Sequence, residues 1–213
     1  MLHRPVRVAT MAIAALALVA TFAAYTPTAD AASLAVNGTA ALEGSFGMEI
    51  TFDGDTQRAY VEDGTPTTET HYNAKFRFDP NSITMEANKR HKIFQGNRET
   101  PSTIRLMTVI YRKNDPDNFI LVKSKDDNDV FQKTAWISVP DGPILVEIDW
   151  RAATGVGANN GEMRLWVDGV LQDTVSGIDN DEMHIDYVRM GAVGNINTTT
   201  IGTQFFDSFE SFR

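Results

Sequence analysis

Short runs of alternating apolar and polar residues, separated by turn residues, constrain the fold of this chain more than any other feature. Residues 48–52 (MEITF) alternate and stop at Asp53-Gly54-Asp55, and residues 144–151 (ILVEIDWR) alternate over their whole length. Alternation of this kind is typical of strands with one buried face, and the turn signals recur every ~8–12 residues. No run keeps a 3.6-residue period and no segment repeats. From Ser33 onward the sequence therefore predicts an all-β fold, with two antiparallel sheets packed as a jelly-roll sandwich.

About ten strands are predicted from this pattern. The tightest turn is predicted at Asp168-Gly169, because Asp-Gly adopts the positive φ values that a type I′ hairpin needs. Residues 155–161, rich in Gly and Asn, predict a longer hairpin loop. The predicted strands are residues 48–52, 74–78, 102–111, 119–123, 131–139, 144–151, 163–167, 170–175, 185–190 and 204–212.

The first 31 residues have the pattern of a secretory signal peptide, with a helical apolar segment. Arg4 and Arg7 make the start basic, residues 11–24 are apolar, and Ala29-Asp30-Ala31 has the small-x-small form of a cleavage site. The alternative is a membrane anchor, which the shortness of the apolar segment disfavours. The sequence predicts a secreted or periplasmic protein with no membrane span after cleavage.

Residues 32–213 are long enough for one domain with a full core. The chain contains no Cys, so it cannot form disulfides, and its formal net charge is −9. Cleavage after residue 31 would remove Arg4, Arg7 and Asp30 and leave a charge of −10. An acidic surface repels phosphate backbones, so no nucleic-acid partner is expected.

Five segments together resemble a known group of proteins. They are similar to bacterial members of the concanavalin A-like superfamily with laminin G-like domains, and they span nearly all of residues 32–213. The resemblance implies a jelly roll of two antiparallel sheets, one of them concave. It does not choose a function, because lectins, polysaccharide hydrolases, lyases and adhesion modules share this fold. The segments are EGSFGM (43–48), ILVEIDWRA (144–152), GEMRLWVDG (161–169), DYVRMGAV (186–193) and GTQFFDSF (202–209).

One strand permits a test for catalysis. Laminarinase-type hydrolases on this fold carry three acids at alternate positions of a strand, as nucleophile, assisting acid and general acid/base. Glu147 and Asp149 stand at the first two positions, but Arg151 takes the third. The leaving sugar would then lack a proton donor. We therefore expect a protein that is not an enzyme.

A lyase of the alginate or glucuronan type would need a cluster of His, Tyr and Arg on the concave face. The candidates are His91 with Arg90 and Lys92, and Tyr187 with Arg189. The sequence itself gives no reason to expect either set to form such a cluster.

Strand parity predicts one candidate ligand-binding face. Glu147, Asp149 and Arg151 point away from the core, and Arg164 and Trp166 do the same on the next strand. An outward Trp among polar groups can stack on a sugar ring. The alternative is that Trp166 is covered by a loop or a partner.

The resemblance also implies a structural calcium ion. Many members of the superfamily hold Ca²⁺ with an Asp in the last strand and carbonyls of the opening segment, and Asp207 stands at that place here. Asp53-Gly54-Asp55 and residues 126–129 are further oxygen-rich loops of the kind calcium prefers. None has EF-hand spacing.

The sequence alone thus favours a secreted, non-catalytic glycan-binding or adhesion-type module. Its expected partner is a polysaccharide or another glycan. The alternative is a structural or protein-interaction component of the cell envelope, with an envelope or extracellular protein as partner. A polysaccharide hydrolase or lyase is the least favoured of the three.

Overall fold

The computed structural model describes residues 32–213, and this part of the chain contains strands, turns and loops but no helix. The predicted signal-peptide helix lies outside the described residues. The strands are β1 (Ser33–Asn37), β2 (Gly47–Asp53), β3 (Ala59–Asp63), β4 (His71–Asp79), β5 (Arg90–Arg98), β6 (Ile104–Asn114), β7 (Asp117–Lys125), β8 (Phe131–Lys133), β9 (Ile137–Val139), β10 (Ile144–Arg151), β11 (Gly161–Val167), β12 (Val170–Ile178), β13 (Tyr187–Gly194) and β14 (Ile201–Phe212).

The strands form two antiparallel sheets of seven strands each, which confirms the predicted all-β jelly-roll sandwich. Sheet A has the order β1-β2-β14-β4-β10-β11-β12. Sheet B has the order β3-β13-β5-β6-β7-β8, and β9 also pairs with β7. Sequence-distant strands are neighbours in both sheets, so the fold depends on long-range pairing.

The predicted turns are confirmed, and three strands were missed. Asp168 and Gly169 have φ values of 50° and 75° at the β11–β12 hairpin, as a type I′ turn requires. The sequence prediction omitted β1, β3 and β5, and it joined β8 and β9 into one strand. The omission of β5 matters most, because β5 lies at the centre of sheet B.

The hydrophobic core lies between the sheets and is rich in aromatic residues. Phe76 of sheet A stacks on Phe94 of sheet B with ring centroids 5.5 Å apart. Trp150 is fully buried, and its Nε1 donates a hydrogen bond of 2.9 Å to the Ser124 hydroxyl. Within residues 32–213, no helix is long and apolar enough to cross a membrane.

Candidate functional site

A bulge in β5 turns two polar side chains onto the outer face of sheet B. Lys92 and Phe94 pair with consecutive residues of β6, which leaves Ile93 as an extra residue between them. Ile93 and Phe94 both pack in the core. Because the extra residue reverses the alternation, Lys92 and Gln95 line one and the same outer cavity although they are three positions apart.

Cross-strand pairing carries this face across sheet B. One row of directly paired positions runs through Arg189, Gln95, Thr108, Lys123 and Lys133, each on a different strand. Residues paired in this way point to the same side of a sheet. All five side chains line cavities on the outer face.

A second row lies beside the first, toward the other end of the strands. Tyr187 of β13 pairs with Asn97 of β5, and Asn97 pairs with Arg105 of β6. All three residues line one cavity. The Gln95 side-chain amide donates a hydrogen bond to the Asn97 side-chain oxygen, which fixes the two amides relative to one another.

Together the cavities form a continuous depression that we call the basic groove. Two cavities of about 400 and 640 Å³ share Lys92 and Arg105, and a third of about 440 Å³ adjoins the first at Arg90 and Asn195. Nine cationic side chains line the groove, but Asp129 is its one carboxylate among the described residues. The nine are Arg58, Lys89, Arg90, Lys92, Arg105, Lys123, Lys125, Lys133 and Arg189.

Only three of the nine cations form ion pairs within residues 32–213. Lys125 contacts Asp129 at 2.6 Å, while Arg189 and Lys89 contact glutamates. The other six have no carboxylate partner within 4 Å in that part of the chain. A concentration of unpaired positive charge on a chain of net charge −9 attracts an anionic ligand to this face.

The charges of the groove act on one another. Burial, together with the nearby charges of Arg105, Lys123 and Arg58, lowers the pKa of Lys92 to about 8. Burial also lowers the pKa of Lys123, with Arg105 and Arg90 acting in the same direction. An anion bound here would relieve this mutual repulsion.

Aromatic side chains lie along the groove beside the cations. The Lys123 ammonium is 3.7 Å from the ring centroid of Phe131, and the Arg112 guanidinium is 4.1 Å from that of Trp136. Phe131 and Trp136 both line the groove. Aromatic faces next to polar groups are typical of sugar-binding surfaces.

Tyr187 and Arg189, one of the pairs weighed for a lyase, do lie together on this face. The Arg189 guanidinium is 5.1 Å from the Tyr187 ring centroid and 4.7 Å from that of Tyr60. Burial raises the pKa of Tyr187, so its phenol stays protonated at neutral pH.

No histidine of residues 32–213 lines the groove. His91 faces the core, where its Nε2 lies 2.8 Å from Gln204 Oε1, and burial lowers its pKa to about 4. His184 pairs with Asp186 at 3.2 Å, and His71 lies on sheet A. The cluster of His91 with its neighbours weighed for a lyase is therefore not formed.

The residues of the ligand-binding face predicted from the sequence lie next to one another on sheet A. Glu147 pairs directly with Trp166, and Asp149 with Arg164. The Arg151 guanidinium donates two hydrogen bonds to Asp149, of 3.1 and 3.2 Å. Arg164 contacts Glu162 at 2.6 Å. The charges of this face are largely paired with one another, and sugar binding here stays a prediction.

Asp207 holds the opening segment to the last strand. Its Oδ2 accepts hydrogen bonds from the backbone N–H groups of Leu42 and Glu43, both at 2.8 Å, and its Oδ1 accepts one from Ser208 N–H. These N–H donors, rather than the expected carbonyl oxygens, face the carboxylate. Calcium binding at Asp207 stays a prediction.

A second group of acids lies where residues 126–129 meet the turn before β13. One carboxylate oxygen from each of Asp127, Asp179 and Asp181 lies within 4.8 Å of the other two. Asp127 Oδ1 is buried and has no hydrogen-bond partner. Burial raises the pKa of Asp127, and the neighbouring acids raise it further. These oxygens are of the type that calcium takes.

Comparison with known proteins gives structural matches only, since no family model and no curated protein matches this chain. The protein Cip1, described as cellulose induced, superposes with a TM-score of 0.60 at 13% identity, over 87% of this chain and 88% of its own. An endo-β-1,4-glucuronan lyase from Trichoderma reesei gives 0.58 at 12% identity, over 84% and 85%. An alginate lyase from Pseudomonas aeruginosa gives 0.54 at 12% identity, over 78% and 82%.

The chain therefore shares its jelly-roll fold with these proteins. At these identities the likeness establishes the fold alone, and membership of the concanavalin A-like superfamily with laminin G-like domains stays a prediction. The expectation that the chain is not an enzyme is wrong. Several of the matching structures are polysaccharide lyases. The expectation rested on Arg151 in β10, and this strand lies on sheet A, on the opposite side of the sandwich from the basic groove.

Proposed function

We propose that this protein binds uronic-acid polysaccharides in the basic groove of sheet B and cleaves them by β-elimination. The observation that carries the proposal is the set of six groove cations with no ion-pair partner within residues 32–213, on a chain of net charge −9. A polymer with a carboxylate on each sugar supplies a series of negative charges for such a groove. The shared fold with glucuronan and alginate lyases supports cleavage.

The groups at the Tyr187–Asn97–Arg105 row suit this chemistry. β-Elimination removes the proton on C5, next to the uronate carboxylate, and expels the sugar attached at C4. The negative charge that develops on the carboxylate must be stabilised by fixed donors. Arg105, Arg189 and the paired amides of Gln95 and Asn97 are such donors, and all of them line one cavity.

We assign to Tyr187 the protonation of the leaving oxygen. Its side chain lies in the same cavity as these donors, and burial keeps its phenol protonated. A phenol within hydrogen-bond reach of the leaving group can act as a general acid. Phe131 and Trp136 would hold the polymer farther along the groove.

The test is depolymerisation of a panel of polyuronates by protein that lacks residues 1–31. Elimination leaves a C4=C5 double bond whose ultraviolet absorbance reports each cut, and a neutral glucan is the negative substrate. Arg105→Gln, inside the groove, should weaken binding by ~10-fold or more, as loss of a charge-assisted contact does. Arg164→Gln is the matched control on sheet A and should bind as the wild type.

Two outcomes would contradict this function. One is that no polyuronate is bound or cut. The other is that single-stranded DNA is retained as firmly as any polyuronate at equal salt, because the groove would then select polyanions in general rather than sugars.

A second proposal concerns the face of Trp166, which we assign to a neutral glycan. Two observations support it. A half-buried Trp166 lies opposite Glu147 on this face, and the Asn73 side-chain amide donates a hydrogen bond of 3.2 Å to Glu147. Most of the other charges on this face form ion pairs with one another. Retention on a neutral-glycan column, lost in Trp166→Ala with an unchanged melting temperature, would support it. Capture of an envelope protein with all glycans blank would favour an interaction role instead.

A further inference from the structure

We infer that Lys92 is the group that takes the C5 proton of the bound uronate, with its amine as the general base. This inference rests on the function proposed above. Lys92 is the candidate because no histidine of residues 32–213 lines the groove and because Lys92 lies at its centre.

Lys92 has the central position among the groove side chains. It lies on β5, the middle of sheet B, and pairs with Ile110 on one side and Gly194 on the other. It lines both of the cavities of about 400 and 640 Å³, and Tyr187 and Arg105 line the larger of the two. A polymer that spans these two cavities would therefore lie beside Lys92.

The other titratable groups of the groove are less suited to accept a proton. Arginines remain protonated at all working pH values. Asp129 is held by Lys125 at 2.6 Å, which lowers the pKa of this carboxyl. Tyr187 has a raised pKa and is a donor. Lys123 also has a lowered pKa, but it does not line the cavity of Tyr187 and Arg105, and its ammonium lies 3.7 Å from the Phe131 ring.

The surroundings of Lys92 favour its neutral form. The charged groups around it are Arg58 before β3, Arg105 on β6 and Lys123 on β7. Arg189 on β13 lines the same cavity, and no carboxylate within residues 32–213 contacts Lys92. Burial and these like charges lower its pKa to about 8, so a substantial fraction is a free amine in mildly alkaline solution.

The step balances with the groups present. The Lys92 amine takes the C5 proton and becomes an ammonium, and the C5–H electron pair forms the C4=C5 double bond. The C4–O bond breaks and its electron pair leaves with the oxygen, which receives the Tyr187 phenol proton. A proton then passes from the Lys92 ammonium to the Tyr187 phenolate, through water, and restores both groups.

The test compares Lys92→Arg, Lys92→Ala and the wild type on the polyuronate that the wild type cuts. Arg keeps the charge but cannot lose a proton, so Lys92→Arg should keep Kd within ~3-fold and lose ~10²-fold or more in kcat. The wild-type rate should rise as pH passes through about 8, because the amine form then accumulates. Lys75→Arg on sheet A is the matched control and should keep full kcat.

Added alkylamines separate a base from a positioning group. Small amines should restore part of the kcat of Lys92→Ala, with rescue increasing with amine basicity, whereas a structural defect would not respond. Full kcat in Lys92→Arg, or loss of kcat that no amine restores, would overturn the role of Lys92 and leave the proposed function standing. Absence of unsaturated product from the wild type would overturn both.

Discussion

Replacing Lys92 by methionine should stabilise the folded protein. Lys92 is half-buried beside Arg105, Lys123 and Arg58, and its pKa is lowered from 10.5 to about 8. A lowered pKa means that the charged form of the side chain is less stable in the folded state than in the unfolded state. Methionine keeps most of the apolar stem and removes the charge.

The magnitude follows from the difference between the two pKa values. The interval from 10.5 to about 8 corresponds to ~3 kcal/mol at a pH below both values. Solvent reaches part of the side chain and screens the repulsion, so we expect a gain of ~1–2 kcal/mol in the free energy of unfolding. For a domain of this size that is ~3–6 °C in melting temperature.

The pH dependence gives the sharper assay. In the wild type, the destabilisation by charged Lys92 is fully present below about pH 8. It decreases as pH rises from about 8 to 10.5, because over this range Lys92 is neutral in the folded state and still charged in the unfolded state. Thermal melts of Lys92→Met and wild type should differ most near neutral pH and converge toward pH 10.5. Lys75→Met, which loses a 2.9 Å contact with Glu210, should not be stabilised. A melting temperature of Lys92→Met at or below that of the wild type at pH 7 would refute the reasoning.

Three further predictions concern the scaffold. Asp207→Asn should lower the free energy of unfolding in urea by ~1–2 kcal/mol, because the carboxylate accepts hydrogen bonds from two backbone N–H groups of the opening segment. If calcium also binds at Asp207, EDTA should lower the melting temperature of the wild type and not of this variant. His91 has a pKa of about 4 in place of 6.5, so stability should fall by up to ~3 kcal/mol as pH drops through that interval, and His91→Gln should flatten the curve. Gly191→Ala should cost ~1–3 kcal/mol, because φ is 124° and a Cβ would lie 2.7 Å from the Ala59 carbonyl oxygen; an unchanged melt would contradict this.

The strands that alternate regularly were the predictable part of the fold. Strand β10 has the predicted bounds, and the Asp168-Gly169 turn has the predicted backbone angles, because both depend on local chemistry alone. The pairing of β10 with β11 also followed, since a hairpin joins neighbours in sequence. The order of the other strands depends on contacts between distant segments, which alternation does not encode.

The basic groove was not predictable in the same way. Its central strand, β5, has the sequence RHKIFQGNR, in which a buried His91 and an extra Ile93 break the alternation. Strand parity therefore could not show that Lys92 and Gln95 share a face. The cations come from seven separate strands or loops and meet only in the folded sheet. Lys123 and Lys125, which alternate on one side of β7, were the one local signal, because two cations on one strand face are unexpected on an acidic chain.

The most direct measurement is the position of a bound oligouronate in a crystal structure of residues 32–213. We predict the sugar over the outer face of sheet B, with a carboxylate within hydrogen-bond distance of Arg105 or Arg189 and its C5 facing Lys92. An oligouronate bound instead beside Trp166 on sheet A would contradict the assignment of the site to the basic groove.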